Sequence, residues 1–303
     1  RPPRSTLFPY TTLFRSLLGQ NCRLHQYNCP LERDTSIDFL LQLIRNQIRL
    51  LPATPFGVVG IGIGIHGTVC RNEITFTPNY NLADLPIKDT LEDALEIPVW
   101  LENEANLSAL AEKTFVENHK NLIHVSIHAG VGAGIILDHH LYTGLAGTAG
   151  EAGHMIVQPG GRSCPCGNHG CLEQYISEPA VLSRYRELSG RTTVSIDDLV
   201  WAYNQKETAA LAVTDEFTTY LACGINNLWN LFSPECIILN CQLTAYLPQL
   251  LPEILQKLSP RFRATCHLKL STLQDTGVLL GAAKVCISKY LGTEKLYFSG
   301  LQP

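Results

Sequence analysis

His154, Cys164, Cys166 and Cys171 lie in one stretch, GEAGHMIVQPGGRSCPCGNHGCLEQYIS over 150–177, at steps of ten, two and five residues. Imidazole and thiolate are the ligands that Zn2+ prefers, and four of them close a tetrahedral shell with no position left for hydrolytic water. A structural zinc ion is therefore the expected cofactor. Gly160, Gly161, Gly167 and Gly170 permit the tight turns that bring closely spaced thiolates onto one ion. Three buried or redox-linked thiols are the plainer alternative, which explains the Cys-x-Cys-x4-Cys spacing and its glycines poorly. His169 competes with His154 for the fourth position, and His154 is the expected ligand.

Two more stretches carry chemistry. Leu101-Glu102-Asn103-Glu104-Ala105-Asn106 falls where a buried strand should meet a helix, a usual place for an active-site carboxylate. The plainer role for Glu104 is a charge at a helix N-terminus. His128-Ala129-Gly130-Val131-Gly132-Ala133-Gly134 is glycine-rich enough for backbone N–H groups to cradle phosphate, or for tight turn geometry alone. His139-His140 reads as a hairpin tip rather than a metal pair, since adjacent side chains on a turn diverge. Cys22, Cys29, Cys70, Cys223, Cys236, Cys241, Cys266 and Cys286 read as buried small hydrophobes.

These residues must be carried by alternating strands and helices. A short strand is expected near 23–27, then a helix capped by Ser36 with Phe39, Leu40, Leu43, Ile44 and Ile48 on one face until Pro52. GVVGIGIGI over 57–65 suits a strand buried on both faces and approached by a ligand or a backbone. A short helix from Asp89, a strand at 99–102, a helix at 106–115 and a hairpin of 123–127 with 134–137 follow. The second half predicts helices at 179–188, 196–202, 207–232 and 248–258, strands at 236–239 and 267–271, and a last helix at 277–291. The class is α/β with a mixed sheet in each half. The long apolar helix over 209–232 is a core or interface helix, with core preferred.

Composition bounds the function. The 303 residues exceed the usual single-domain size, so two lobes are expected, and 45% apolar with 17% charged residues is globular. Net charge is −4 with no basic block, which argues against nucleic-acid binding by these residues. No apolar run approaches the length of a membrane helix. The 11 cysteines, odd in number and scattered outside one cluster, point to a reducing compartment, with the cytoplasm as default.

Residues 1–16, RPPRSTLFPYTTLFRS, have neither helix nor strand period and no signal-peptide core. Residues 6–16 resemble the in-frame translation of a sequencing-library adapter. The expectation is that 1–16 is foreign and that the natural front of the gene lies upstream of Leu17.

GEAGH…CPCGNHGCLE resembles the signature of the ROK family, bacterial sugar-responsive repressors and sugar kinases, and the resemblance extends over 17–291. It implies two ribonuclease-H/actin-like (hexokinase-type) lobes with a sugar cleft between them: an N lobe over 17–121 completed by 276–291, a C lobe over 122–275 carrying the zinc loop, and a C-terminal helix and tail over 276–303. It further implies that zinc on His154, Cys164, Cys166 and Cys171 shapes a loop beside the sugar, and that Glu151, His154 and Glu173 face its hydroxyls. The chemistry agrees, since carboxylates accept hydrogen bonds from vicinal hydroxyls.

Family kinases carry Asn-Asp-Ala-Asn, with aspartate as general base, where this chain has Asn103-Glu104-Ala105-Asn106. The extra methylene moves the carboxylate by about 1 Å or more, a misplacement that can cost about 10²-fold. Glu-Asn-Glu-Ala-Asn is similar to the family's xylose repressors, in which Asn103 and Glu104 would hold sugar without phosphoryl transfer. Gly130, Gly132 and Gly134 resemble the second phosphate loop, but kinases open it with Thr-Gly rather than His128-Ala129. The strand over 237–239 runs into Asn240-Cys241-Gln242, which would crowd an adenosine, where kinases have Gly-Gly. The first phosphate loop, Asp-x-Gly-Gly-Thr, would lie upstream of Leu17. The turn that usually ends in Pro-Gly reads Ile65-His66-Gly67, so His66 either adds a hydrogen-bonding group to the pocket or caps the strand. The implied function is the sugar-binding and oligomerisation region of a xylose-type repressor, dimeric or tetrameric, whose DNA contact lies in a missing N-terminal helix-turn-helix. An ATP-dependent sugar kinase is the alternative.

Overall fold

A computed structural model describes residues 10–13, 23–26, 33–51, 55–78 and 82–296. The chain divides into two units, one built from Arg1–Asn118, Thr143–Thr148 and Asp275–Pro303, the other from His119–Tyr142 and Ala149–Gln274.

The first unit opens with β1 (Tyr10–Leu13), inside the segment expected to be foreign, paired antiparallel with β2 (Arg23–Gln26). Helix α1 (Ser36–Arg49) follows. Ser36 is not its cap: Thr35 holds that position, and buried Ser36 donates its hydroxyl to Arg33 O at 3.2 Å. Pro52 lies outside the described residues. Strand β3 (Ile61–Ile65) is shorter than expected, because Gly57 at φ +61 and the residues after it stay outside the ladder. A hairpin of β4 (Thr68–Cys70) and β5 (Glu73–Phe76) turns through Arg71 and Asn72, both left-handed. Helix α2 (Ile87–Leu95) begins two residues before Asp89 and stops at Glu96, φ 55. Strand β6 (Val99–Asn103) runs parallel to β3, with Ile65 opposite Asn103. It feeds α3 (Glu104–Ala111), which widens into a π turn over Glu112–Val116.

The expected mixed sheet in this half is replaced, among the described residues, by separate two-stranded ladders. The physical reason is a side-chain staple: Asn72 Nδ2 donates to Val99 O at 2.9 Å and Asn72 Oδ1 accepts Leu101 N–H at 2.6 Å, so the hairpin holds β6 without a backbone ladder.

The second unit is built on β7 (Leu122–Ile127), buried throughout, and the antiparallel β8 (Val131–Leu137) and β9 (His140–Leu141). Asp138 and His139 make the left-handed turn between the last two. After the cysteine loop come α4 (Glu173–Ile176), α5 (Glu178–Ser189), α6 (Ile196–Asn204) and α7 (Thr208–Phe232). Then follow β10 (Cys236–Cys241), α8 (Gln242–Tyr246), α9 (Leu250–Lys257), α10 (Pro260–Thr265) and β11 (His267–Leu270). The strand order is β11-β10-β7-β8-β9, parallel among the first three and antiparallel beyond. In α7, Ala210, Val213, Phe217, Leu221, Ile225 and Leu228 recur at helical spacing and bury against Ile123, Val125, Ile237 and Leu239. That face is core. Leu231, in the last turn of the helix, is exposed.

The chain then returns to the first unit as α11 (Thr276–Leu291). The glycines in and just before β3 pack against this helix. Gly60, Gly62 and Gly64 face Cys286, Ala282 and Val278 in turn, and a Cβ at Gly62 would stand 2.7 Å from Ala282 O. Two residues of strand (about 6.6 Å) match four of helix (about 6.0 Å), so the small residues stay in register. The approach to β3 is therefore by a helix backbone, and the strand is half-buried rather than covered on both faces. Cys236, Cys241, Cys266 and Cys286 are buried as expected, whereas Cys70 and Cys223 are only half-buried. Cys22 and Cys29 lie outside the described residues. Among the described residues no helix is long and apolar enough to cross a membrane.

Candidate functional site

The cysteine loop is a small knuckle. Cys164-Pro165-Cys166-Gly167 forms a turn in which Gly167 N donates to Cys164 O at 3.0 Å, and Cys164 N donates to Asn168 O at 2.9 Å. Pro second and Gly fourth are preferred in such a turn. Gly167 and Gly170 have φ +94 and +82, and a Cβ at Gly170 would run into Gln158 O. Bridges of Ile156 with Cys171 and Ser163 with His169 close the loop base.

The ligand atoms of His154, Cys164, Cys166 and Cys171 all lie within 4.8 Å of one another. Cys166 Sγ is 3.7 Å from Cys171 Sγ, and Cys164 Sγ is 3.7 Å from His154 Nδ1. A tetrahedral ion with metal–sulfur bonds of about 2.3 Å sets sulfurs about 3.8 Å apart and sulfur–nitrogen pairs about 3.6 Å apart. The four residues fit a metal ion, and a donor set of three sulfurs and one nitrogen suits zinc. His169 is exposed and lies outside this group. Burial pushes the Cys171 thiol up to about 12, so a bound cation must displace its proton. The Asn168 backbone N–H, with Cys164 beside it, lowers that of exposed Cys166.

Around the loop stands a layer that the sequence did not reveal. Gln174 Nε2 donates to Cys164 Sγ at 3.6 Å, and Gln174 O accepts Arg162 NH1 at 2.8 Å. The Arg162 guanidinium lies 4.5 Å over the Tyr175 ring and pairs with Glu216 of α7, which also accepts Arg184 Nε at 3.1 Å. Tyr175 stacks on Tyr220 at 4.0 Å. The loop is thereby clasped to the core helix. An arginine inside a glycine-rich loop was the one available hint.

The expected sugar-facing residues of this unit are placed as follows. Glu151 begins the short 3-10 turn Ala152–His154, its Oε2 3.8 Å from His154 Nε2, so the imidazole has a carboxylate on one nitrogen and a thiol on the other. Glu173 Oε2 accepts Val131 N–H at 3.1 Å and ties α4 to the start of β8. Of the phosphate-loop glycines only Gly130 sits in the turn; Gly132 and Gly134 lie inside β8 opposite Ser126 and His124. Strand β10 continues through Asn240 and Cys241 instead of stopping at Leu239. Asn240 is buried and Gln242 is exposed at the rim, while Cys241 helps line a cleft of about 230 Å³ with Ile127, Ile176, Glu178 and Phe217.

In the first unit, Asn103 caps α3: its Oδ1 accepts Ala105 N–H at 2.8 Å and Asn106 N–H at 3.1 Å, while its Nδ2 donates to Gly67 O at 2.8 Å. Glu102 Oε1 accepts Asn103 N–H at 2.8 Å and Asn106 Nδ2 at 3.0 Å, and burial raises its pKa. His66 Nδ1 donates to Glu104 Oε1 at 2.8 Å.

With this geometry in hand, the sequence model of the ROK family matches residues 16–289. The xylose repressor of Bacillus spizizenii is 35% identical over 266 residues, 86% of this chain and 69% of that protein. The glucokinase of Halalkalibacterium halodurans is 31% identical over 247 residues, 74% of this chain and 75% of that protein. Among solved structures, a ROK family transcriptional regulator described as a homolog of the E. coli MLC protein is 28% identical with a TM-score of 0.77, covering 90% of this chain and 74% of that one.

Proposed function

The chain belongs to the ROK family and shares its actin-like α/β fold, and from that premise we propose that it is the effector-binding region of a sugar-responsive repressor of the xylose type. The observation that carries this reading is at residue 104. A glutamate already accepting a hydrogen bond from His66 at 2.8 Å stands where family kinases would have the aspartate base. That donor holds a carboxylate one methylene further out than an aspartate would place it, and a misplacement of about 1 Å can cost about 10²-fold in proton transfer. Such a group holds a hydroxyl better than it removes its proton.

In this reading Asn103, Glu104, Glu151, His154 and Glu173 bind the sugar hydroxyls. Zinc on His154, Cys164, Cys166 and Cys171 supplies no chemistry of its own and fixes the loop, while the Arg162–Glu216 clasp transmits that order to α7. Control of DNA is a population shift: sugar must bind one conformation better than another. With a net charge of −4, the residues here leave DNA contact to a separate helix-turn-helix segment.

Calorimetric titration with D-xylose and D-glucose, beside a coupled assay for sugar-dependent ATP consumption, tests the proposal. Heat with at least one sugar and no turnover is expected. A second reading, an ATP-dependent sugar kinase, is favoured by the 31% identity to a glucokinase. Turnover at about 1–10³ s⁻¹ would establish it and overturn the sensor.

A further inference from the structure

We propose that His66 is the positioning residue of the sugar site, locking the Glu104 carboxylate into the orientation in which it accepts a ring hydroxyl. The inference rests on the sugar-binding reading above. The two residues are 38 apart in sequence and meet at 2.8 Å. They are also two separate departures from the family kinase pattern, histidine for proline in the turn after β3 and glutamate for aspartate at the start of α3.

Position supports the role. His66 follows β3 and Glu104 follows β6, just beyond the C-terminal ends of two adjacent parallel strands whose last residues, Ile65 and Asn103, are in register. Ligands of α/β sheets bind at such ends. The two side chains are 20% and 28% exposed, open to a small molecule yet largely enclosed.

The surroundings fix the pair from both sides. Gly67 has φ +152, and a Cβ there would collide with Phe76 O, so the residue next to His66 must be glycine. Its carbonyl accepts Asn103 Nδ2 at 2.8 Å, and the same amide caps the helix that begins with Glu104. The turn that bears the imidazole and the helix end that bears the carboxylate are therefore joined by one side chain.

Glutamate has three side-chain torsions, and ordering them on binding costs affinity unless they are ordered beforehand. The Nδ1–H donor from His66 supplies that order, leaving the other lone pairs of the carboxylate to accept ring hydroxyls.

The test is calorimetric titration of the full chain with D-xylose and D-glucose, comparing wild type with His66→Asn, His66→Gln, His66→Leu and Glu104→Gln. Asparagine places its amide nitrogen where Nδ1 stood, whereas glutamine places it one bond further out. His66→Gln and His66→Leu should lower affinity by about 10- to 100-fold, and His66→Asn should stay within about 3-fold of wild type. The double variant His66→Gln/Glu104→Gln should bind about as Glu104→Gln alone does, because the residues act as a unit. Having two loss variants guards against one that fails to fold, and melting curves identify it. Unchanged affinity in a folded loss variant, equal loss in His66→Asn, or additive losses would overturn the role of His66. A wild-type protein that binds neither sugar would overturn the sugar-binding reading itself, a distinct result.

Discussion

Replacing Gly62 by alanine should destabilise the protein, while the same change at Gly60 should not. At Gly62 the new Cβ would stand 2.7 Å from Ala282 O, 2.9 Å from Ala282 Cβ and 3.0 Å from Ala282 C, where ordinary contact begins at 3.4 Å. Strand β3 and helix α11 must part by several tenths of an ångström, and overpacking of this kind costs about 1–3 kcal/mol. Neither glycine has a positive φ, so alanine also narrows the unfolded ensemble and recovers about 0.4–1 kcal/mol. The net loss at Gly62 is about 1–2 kcal/mol, a fall of roughly 2–6 °C in melting temperature. At Gly60 the nearest atoms are Cys286 Cβ at 3.2 Å and the rotatable Sγ at 3.3 Å, so the two effects nearly cancel. Adding Ala282→Gly to Gly62→Ala removes the Cβ contact but leaves the carbonyl, so it should rescue in part. Differential scanning calorimetry of the four proteins reads the series. A Gly62→Ala protein that melts no lower than Gly60→Ala would refute the assignment of these glycines to helix packing.

Two further outcomes concern the cysteine loop and Glu102. Elemental analysis should find about one zinc per chain; His154→Ala and Cys171→Ser should lose it and His169→Ala should keep it, and metal retained by His154→Ala would disqualify the fourth ligand. Burial raises the Glu102 pKa in the folded protein above that of the unfolded chain, so the folded state holds the proton longer and stability falls as pH rises through the raised value. Glu102→Gln keeps an oxygen acceptor for Asn103 N–H and Asn106 Nδ2, and should flatten that loss in melting curves recorded from about pH 4 to 8; an unchanged slope would dismiss Glu102 as its source.

Much of this was legible in the sequence where the signal is local. The four metal-ligand candidates sit within eighteen residues, and turn geometry alone brings their donor atoms within 4.8 Å. Helix α7 is long enough for its 3.6-residue period to be unmistakable. Contacts made across the fold were not legible. Nothing near residue 66 indicates that its imidazole meets a carboxylate 38 positions on, and nothing near Asn72 indicates that its amide staples a hairpin to β6. That hairpin was missed because Arg71-Asn72 makes its left-handed turn without glycine, which asparagine tolerates. The glycines of 57–65 were visible but ambiguous, since a close backbone and a close ligand leave the same trace. Short helices such as α4 and α10 owe their existence to flanking packing rather than to a period of their own.

The discontinuity of the first unit bears on how the protein is made. The turn after β3 and the start of α3, which hold His66 and Glu104, are emitted from the ribosome long before α11, yet Gly281 fits against Leu107 O so closely that no side chain could replace its hydrogen. Domains tend to fold as units while synthesis proceeds. The second unit is complete once Gln274 has emerged, while the early strands of the first wait for the final helix. The His66–Glu104 pair is thus assembled last, and a nascent or prematurely terminated chain would carry a finished cysteine knuckle and an unfinished first unit.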